Sequence, residues 1–214
     1  MLKLTPARSP GATRLFSLLI VVTITISAFA AETITGRAQD ATPLATPLSE
    51  AVERVPLTID FGDFEAAAEL TYPATGEGPF PAVVLIPGSG PYDMDFTIRD
   101  FQTGEVRSTI FLDIANYLSA NGYAVIRYNK HYVTGTDEMA DAQNYYQNFT
   151  FDMLLEDARS VYETLRERPE VDPERIALYG WSEGAPIAVQ LALAEPDVAA
   201  LILQGPAADL FKEI

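Results

Sequence analysis

The sequence predicts an α/β domain built on a mostly parallel sheet with helices on both faces. Three observations carry this. Short apolar runs bounded by Pro and Gly (residues 82–86, 123–128, 176–179 and 198–203) have the length and composition of strands buried on both faces. Between them lie stretches with helical spacing of apolar residues, so strand and helix alternate along the chain. One of those strands runs through a tight Gly-rich turn directly into a helix, in the string Leu178-Tyr-Gly-Trp-Ser-Glu-Gly-Ala185.

In chain order, Leu57, Ile59 and Phe61 alternate with polar neighbours. Gly62-Asp63 then interrupts, and residues 64–72 resume an extended pattern, which predicts a hairpin. Residues 73–81 read as a Gly- and Pro-containing loop before the first buried strand, 82–86. Residues 88–109 read as a long polar loop. Ile110, Ile114, Tyr117 and Leu118 then share one helical face, closed by Asn121-Gly122. The strand 123–128 follows, then a second polar loop over 129–148 that contains the chain's one histidine, His131, read as solvated. Residues 151–168 form an amphipathic helix with Leu154, Leu155, Ala158, Val161, Tyr162 and Leu165 inward. Thr150 stands at its cap and Pro169 ends it. Strand 176–179, helix 185–194 and strand 198–203 complete the pattern.

Gly180-Trp181-Ser182-Glu183-Gly184 is a G-x-S-x-G pentapeptide. On a strand–turn–helix it sets a serine hydroxyl on a sharp bend and leaves the next N–H free to hold an oxyanion. Five residues with three fixed recur by chance, and the flanking strand and helix are what give the motif weight. Ser182 is therefore the candidate nucleophile and Glu183 a candidate oxyanion donor through its backbone N–H. A structural ion pair or solvent accounts for the Glu183 carboxylate. In open parallel sheets the chemistry sits beyond the carboxyl ends of the strands. The loop after Ile86 and the turn at Ser182 share that edge.

A serine nucleophile needs a proton acceptor, usually histidine. His131 precedes the serine, whereas the order in this kind of elbow is Ser, acid, His. No histidine follows Gly184. Asp93, Asp95 and Asp100 make a carboxylate-rich loop, but without the Gly and closing Glu of a calcium loop they read as solvated or capping residues. No cofactor is implied: there is no G-x-G-x-x-G, no phosphate loop and no histidine pair for zinc. No metal ligands are assigned. Asn148-Phe149-Thr150 matches a glycosylation sequon.

The chain has 214 residues, 48% apolar, a formal charge of −16 and no cysteine. Such an acidic balance makes nucleic acid and anionic membrane surfaces poor partners. The absence of cysteine excludes disulfides and thiol chemistry. Lys3, Arg8 and Arg14 precede an uncharged run over residues 15–31 that contains Ala28-Phe29-Ala30. This is the three-part pattern of a secretory signal cleaved after Ala30. An uncleaved membrane anchor is the alternative, although the run is short and carries Ser and Thr. Residues 31–54, rich in Thr, Ala and Pro, read as a flexible linker, with the folded domain over 55–214.

These residues resemble the α/β-hydrolase superfamily, and more narrowly its bacterial exported esterases and serine-aminopeptidase-like hydrolases. In that group the loop after the first buried strand commonly reads H-G-S-G-P-x-D-R-D. Here it is Pro87-Gly-Ser-Gly-Pro-Tyr-Asp-Met-Asp95. A later R-Y-D-K-R-G is matched by Arg127-Tyr-Asn-Lys-His-Tyr132. The resemblance covers roughly residues 55–214. It implies that Ser89 supplies the second oxyanion N–H, with Gly90 the one-residue-off alternative. It implies a small-molecule ester or peptide as substrate, and that residues 203–214 open a cap region. Pro87 and His131 depart from the pattern. Against the family the chain looks C-terminally incomplete, with the acid and catalytic histidine expected outside it. Three functions are therefore carried forward: an ester hydrolase, a peptidase of the same fold, or an inactive truncated relative that at most binds ligand.

Overall fold

The computed structural model describes residues 51–205 apart from residue 137. The expected leader, most of the linker and the expected cap segment lie outside the described residues. No described helix is long and apolar enough to cross a membrane. The elements are β1 (Val52–Asp60), β2 (Glu65–Pro73), β3 (Phe80–Ile86), β4 (Thr97–Arg99), β5 (Val106–Thr109), α1 (Ile110–Ala120), β6 (Ala124–Tyr128), α2 (Glu138–Asn148), α3 (Phe151–Arg166), β7 (Val171–Trp181), α4 (Gly184–Ala194) and β8 (Ala200–Gln204).

The main sheet has the order β1-β2-β6-β3-β7-β8. The hairpin β1–β2 and the pair β2–β6 are antiparallel, and β6, β3, β7 and β8 run parallel. From β3 the chain crosses to β6 on one side and later to β7 on the other. The sheet therefore changes winding direction at β3, where open α/β sheets form a crevice at their carboxyl ends. Alternate residues of the central strands feed two cores. Val84, Ile86, Ile126 and Leu178 pack with Leu154, Val161 and Leu165 of α3 and Ile187 and Leu191 of α4. Val83, Leu85, Val125 and Tyr179 pack with Phe111 and Ala115 of α1. The expected parallel sheet with helices on both faces is the observed one.

Several elements differ from the sequence reading. β1 begins at Val52, inside the expected linker. The supposed loop 88–109 contains the two-stranded ribbon β4–β5. β7 starts at Val171 rather than 176, because Asp172-Pro-Glu-Arg175 bulges out of its pairing with β3 between Phe80 and Ala82. Pro173 lacks the N–H for a ladder bond, and Asp172 instead accepts the N–H of Glu174 and pairs with Arg175. The second supposed loop contains α2, which buries only Asp141 and Tyr145 and so has no apolar stripe to reveal it. The Thr150 cap is as expected: its hydroxyl accepts the Met153 N–H at 3.1 Å.

His131 is not solvated. It is 1% exposed and stacked between Phe61 and Phe64. Its Nδ1 lies 3.0 Å from Asp157 of α3 and its Nε2 3.1 Å from Asp63 in the β1–β2 turn. Burial pushes the Asp157 carboxyl up to about 6, against the opposing pull of the imidazole. The same strand end carries a second buried polar tie. Arg127, 1% exposed, is held between Glu69 of β2 and Asp95, and Glu69 also pairs with Arg54 at 2.8 Å.

Removing Arg127 leaves the half-buried Asp95 without its cation, and removing His131 leaves the buried Asp157 without its imidazole partner. We expect Arg127→Met to lower the unfolding free energy by about 3 kcal/mol in urea titrations. His131→Ala should lose a similar ~3 kcal/mol by leaving the Asp157 carboxylate alone in the core. A loss under ~1 kcal/mol in either variant would show that the tie is not what holds its segments together.

Candidate active site

The elbow is a steric arrangement before it is a chemical one. β7 ends at Trp181 and α4 begins at Gly184, so two residues reverse the chain. Ser182 occupies that bend with φ of +52°, a left-handed conformation that costs an L-residue of order 1–2 kcal/mol and is characteristic of strained functional positions. Two contacts hold it there. Its N–H donates to the Gln204 carbonyl of β8 at 2.8 Å, and its own carbonyl accepts the Ala185 N–H at 3.0 Å. The flanking glycines are obligatory. A Cβ on Gly180 would lie 2.4 Å from the Gly184 oxygen, and one on Gly184 would lie 2.2 Å from the Ile86 oxygen.

That close approach brings the β3 loop against the elbow. A Cβ on Gly88 would meet the Ser182 Cβ at 3.3 Å and the Trp181 oxygen at 3.2 Å. Ser89, the next residue, is exposed. Among the described residues, no backbone or side-chain acceptor engages the N–H of Ser89 or of Glu183. The three residues singled out from the sequence, Ser182, Ser89 and Glu183, thus stand on two adjoining turns at one edge of the sheet.

The sequence reading missed the group between those turns. Lys130, 2% exposed, donates to the Gly88 carbonyl at 2.8 Å and to Glu183 Oε2 at 3.2 Å. Its ammonium also sits 4.7 Å above the Tyr145 ring of α2. Burial pulls the Lys130 amine down to about 8, with the Glu183 carboxylate opposing that fall. The Glu183 side chain is therefore in an ion pair, one of the two roles expected of it. The signal in the sequence was the lysine of the Arg127-Tyr-Asn-Lys130 string, two residues past a buried strand.

The remaining polar residues are occupied by the chain itself. Asp93 accepts the Thr97 N–H, Asp95 binds Arg127, and Asp100 caps the β4–β5 turn through Gln102, Thr103 and Arg107. Both ring nitrogens of His131 face carboxylates. A cavity of about 320 Å³ opens beside the β3 loop, lined by residues that include Gly90, Tyr92, Asp93, Arg99 and Tyr146. Ser182 is not part of its wall.

Comparison with known proteins agrees with this geometry. The family described as serine aminopeptidase, S33 (Hydrolase_4) matches residues 105–213. Esterase EstD of Thermotoga maritima is 39% identical over 119 residues, covering 55% of this chain and 25% of that protein. The chain thus aligns with only a quarter of that relative's length. Among solved structures, dienelactone hydrolase from Anabaena variabilis superposes with a TM-score of 0.54 at 18% identity, over 75% of this chain and 66% of that one. A bacterial heroin esterase gives 0.52 at 21% identity, over 76% and 47%. These two likenesses establish the fold alone. The family match, the sheet order and the elbow converge: this chain belongs to the serine aminopeptidase S33 family of α/β hydrolases.

Proposed function

We propose that this protein is an exported serine hydrolase that cleaves carboxylic esters through an acyl-enzyme on Ser182. The observation that carries the reading is the Ser182 bend itself: a serine at positive φ between a strand and a helix, against a turn whose Ser89 N–H engages no acceptor among the described residues. In this reading the Ser182 oxygen attacks the ester carbonyl, and its proton passes to a base. The carbonyl oxygen becomes an oxyanion held by the N–H groups of Ser89 and Glu183. Collapse breaks the ester C–O bond and the alcohol leaves with a proton. Water then attacks the acyl carbonyl, releasing the acid and restoring the serine. His131 is a poor base, because Asp157 and Asp63 take both its nitrogens and its ring lies between two phenyl groups.

The likeness to Esterase EstD supports ester cleavage, and the family's description as serine aminopeptidases favours peptidase chemistry as the second reading. Both share the elbow and differ in the leaving group. The third alternative is an inactive relative that only binds ligand.

In protein expressed from its complete gene, Ser182 should take up a fluorophosphonate probe. Ser182→Ala should abolish both labelling and hydrolysis of short-chain p-nitrophenyl esters. Full labelling of the alanine variant would remove Ser182 from the mechanism, and an unlabelled native protein would favour the inactive relative. Faster turnover of aminoacyl p-nitroanilides than of esters would favour the peptidase. For export, N-terminal sequencing of the secreted protein should begin at Ala31, whereas an intact leader in the membrane fraction would point to an anchor.

A further inference from the structure

We propose that Lys130 is a positioning residue that aims the Ser89 N–H at the reacting oxygen and strengthens it as a donor. The proposal rests on the reading of Ser89 as an oxyanion donor given above. Its basis is that the carbonyl bonded by Lys130 belongs to the same peptide unit as that N–H. A trans peptide is planar, with C=O and N–H pointing in opposite directions. Fixing the Gly88 oxygen at 2.8 Å from the Lys130 amine therefore fixes the direction of the Ser89 N–H. An ammonium at the carbonyl end also draws electron density through the amide. That makes the N–H a better donor in the way that linked hydrogen bonds reinforce one another.

The amine's second partner closes the device. Glu183 Oε2, 3.2 Å away, belongs to the residue whose own N–H is the other candidate donor. One buried cation thus ties the Gly88 carbonyl of one turn to the Glu183 side chain of the other. The Gly88 oxygen would otherwise be a buried acceptor, which one neutral donor would satisfy. The Lys130 nitrogen makes no hydrogen bond to Ser182, so it is not placed as the serine's base.

The clasp depends on the charge of the amine. The groups facing it are Glu183 from the elbow, the Tyr145 ring from α2, and Asp157 from α3, while Tyr128 of β6 borders the same small void. The hydroxyls of Tyr128 and Tyr145 are pushed above the ordinary phenol range by burial, and Asp157 loses its proton near 6. Lys130, pulled down to about 8, is the member of this group that changes charge in mildly alkaline solution.

The test is a pH–rate series on the protein from its complete gene, with melting temperatures recorded alongside. Native protein should lose kcat as pH rises through about 8. Lys130→Met should lower kcat about 10- to 100-fold at neutral pH, less than the ~10²–10³ for deleting a donor outright, with KM changed less than about threefold. Its alkaline limb should vanish. Glu183→Gln keeps an acceptor but removes the charge that holds the proton on Lys130, so its limb should move to lower pH. That variant carries the test if Lys130→Met does not fold. Native kcat in a folded Lys130→Met, or an unmoved limb in Glu183→Gln, overturns the proposal. If Ser182→Ala is silent in the same assay, the serine reading survives that result. Activity in Ser182→Ala overturns both.

Discussion

The structure depends on how closely one helix start is allowed to approach one strand end. The backbone of Gly184 runs so near the carbonyls of Ile86 and Pro87 that a single methyl group would overlap them. Gly180 faces the same helix turn from the other side. Because neither position carries a side chain, β7 can turn into α4 directly over the end of β3. That contact sets Gly88 against Ser182, and among the described residues the N–H groups of Ser89 and Glu183 engage no acceptor. The chemistry proposed for Ser182 follows from this packing, since without it the two turns would be separate surface loops.

Around that contact, one short string distributes most of the buried polar bonds. Arg127 reaches Glu69 and Asp95, Asn129 accepts the Met94 N–H and donates to the Val133 carbonyl, Lys130 joins Gly88 to Glu183, and His131 joins Asp157 to Asp63. The end of β6 is thus the place where the β3 loop, the hairpin turn, the elbow and α3 are fastened to one another. In a chain of net charge −16, two of its few cations are withdrawn from the surface to do this. Buried ion pairs of this kind contribute little net stability relative to apolar packing, and their gain is in fixing one arrangement.

The parts of the fold with strong apolar periodicity were legible in the sequence. Residues 82–86, the 110s helix and α3 bury continuous runs or a clear stripe, and their positions follow from it. The elbow was legible because its glycines and serine stand between an apolar strand run and a helical run, a context that the five-residue pattern alone does not supply. What was not legible was held by polar contacts across long separations. α2 presents Glu138-Met-Ala-Asp-Ala-Gln-Asn-Tyr-Tyr-Gln-Asn148, in which only Asp141 and Tyr145 are buried, so nothing in its pattern separates it from a loop. His131 and Lys130 read as ordinary loop residues because their partners lie 26 and 68 positions away for the first and 42 and 53 for the second. Charge pairing at such distances leaves no local trace.

The bond from the Ser182 N–H to the Gln204 carbonyl bears on how the protein is born. The bend at Ser182 is strained, and one of the two contacts that hold it comes from β8, which the ribosome makes after the elbow helix. At ~5–20 residues per second, seconds pass between synthesis of the serine and of its anchor. During that interval β7 has only β3 to pair with, and the bend keeps only its local bond from the Ala185 N–H. The Ser182 bend therefore gains its second anchor only once β8 has been made and has docked beside β7.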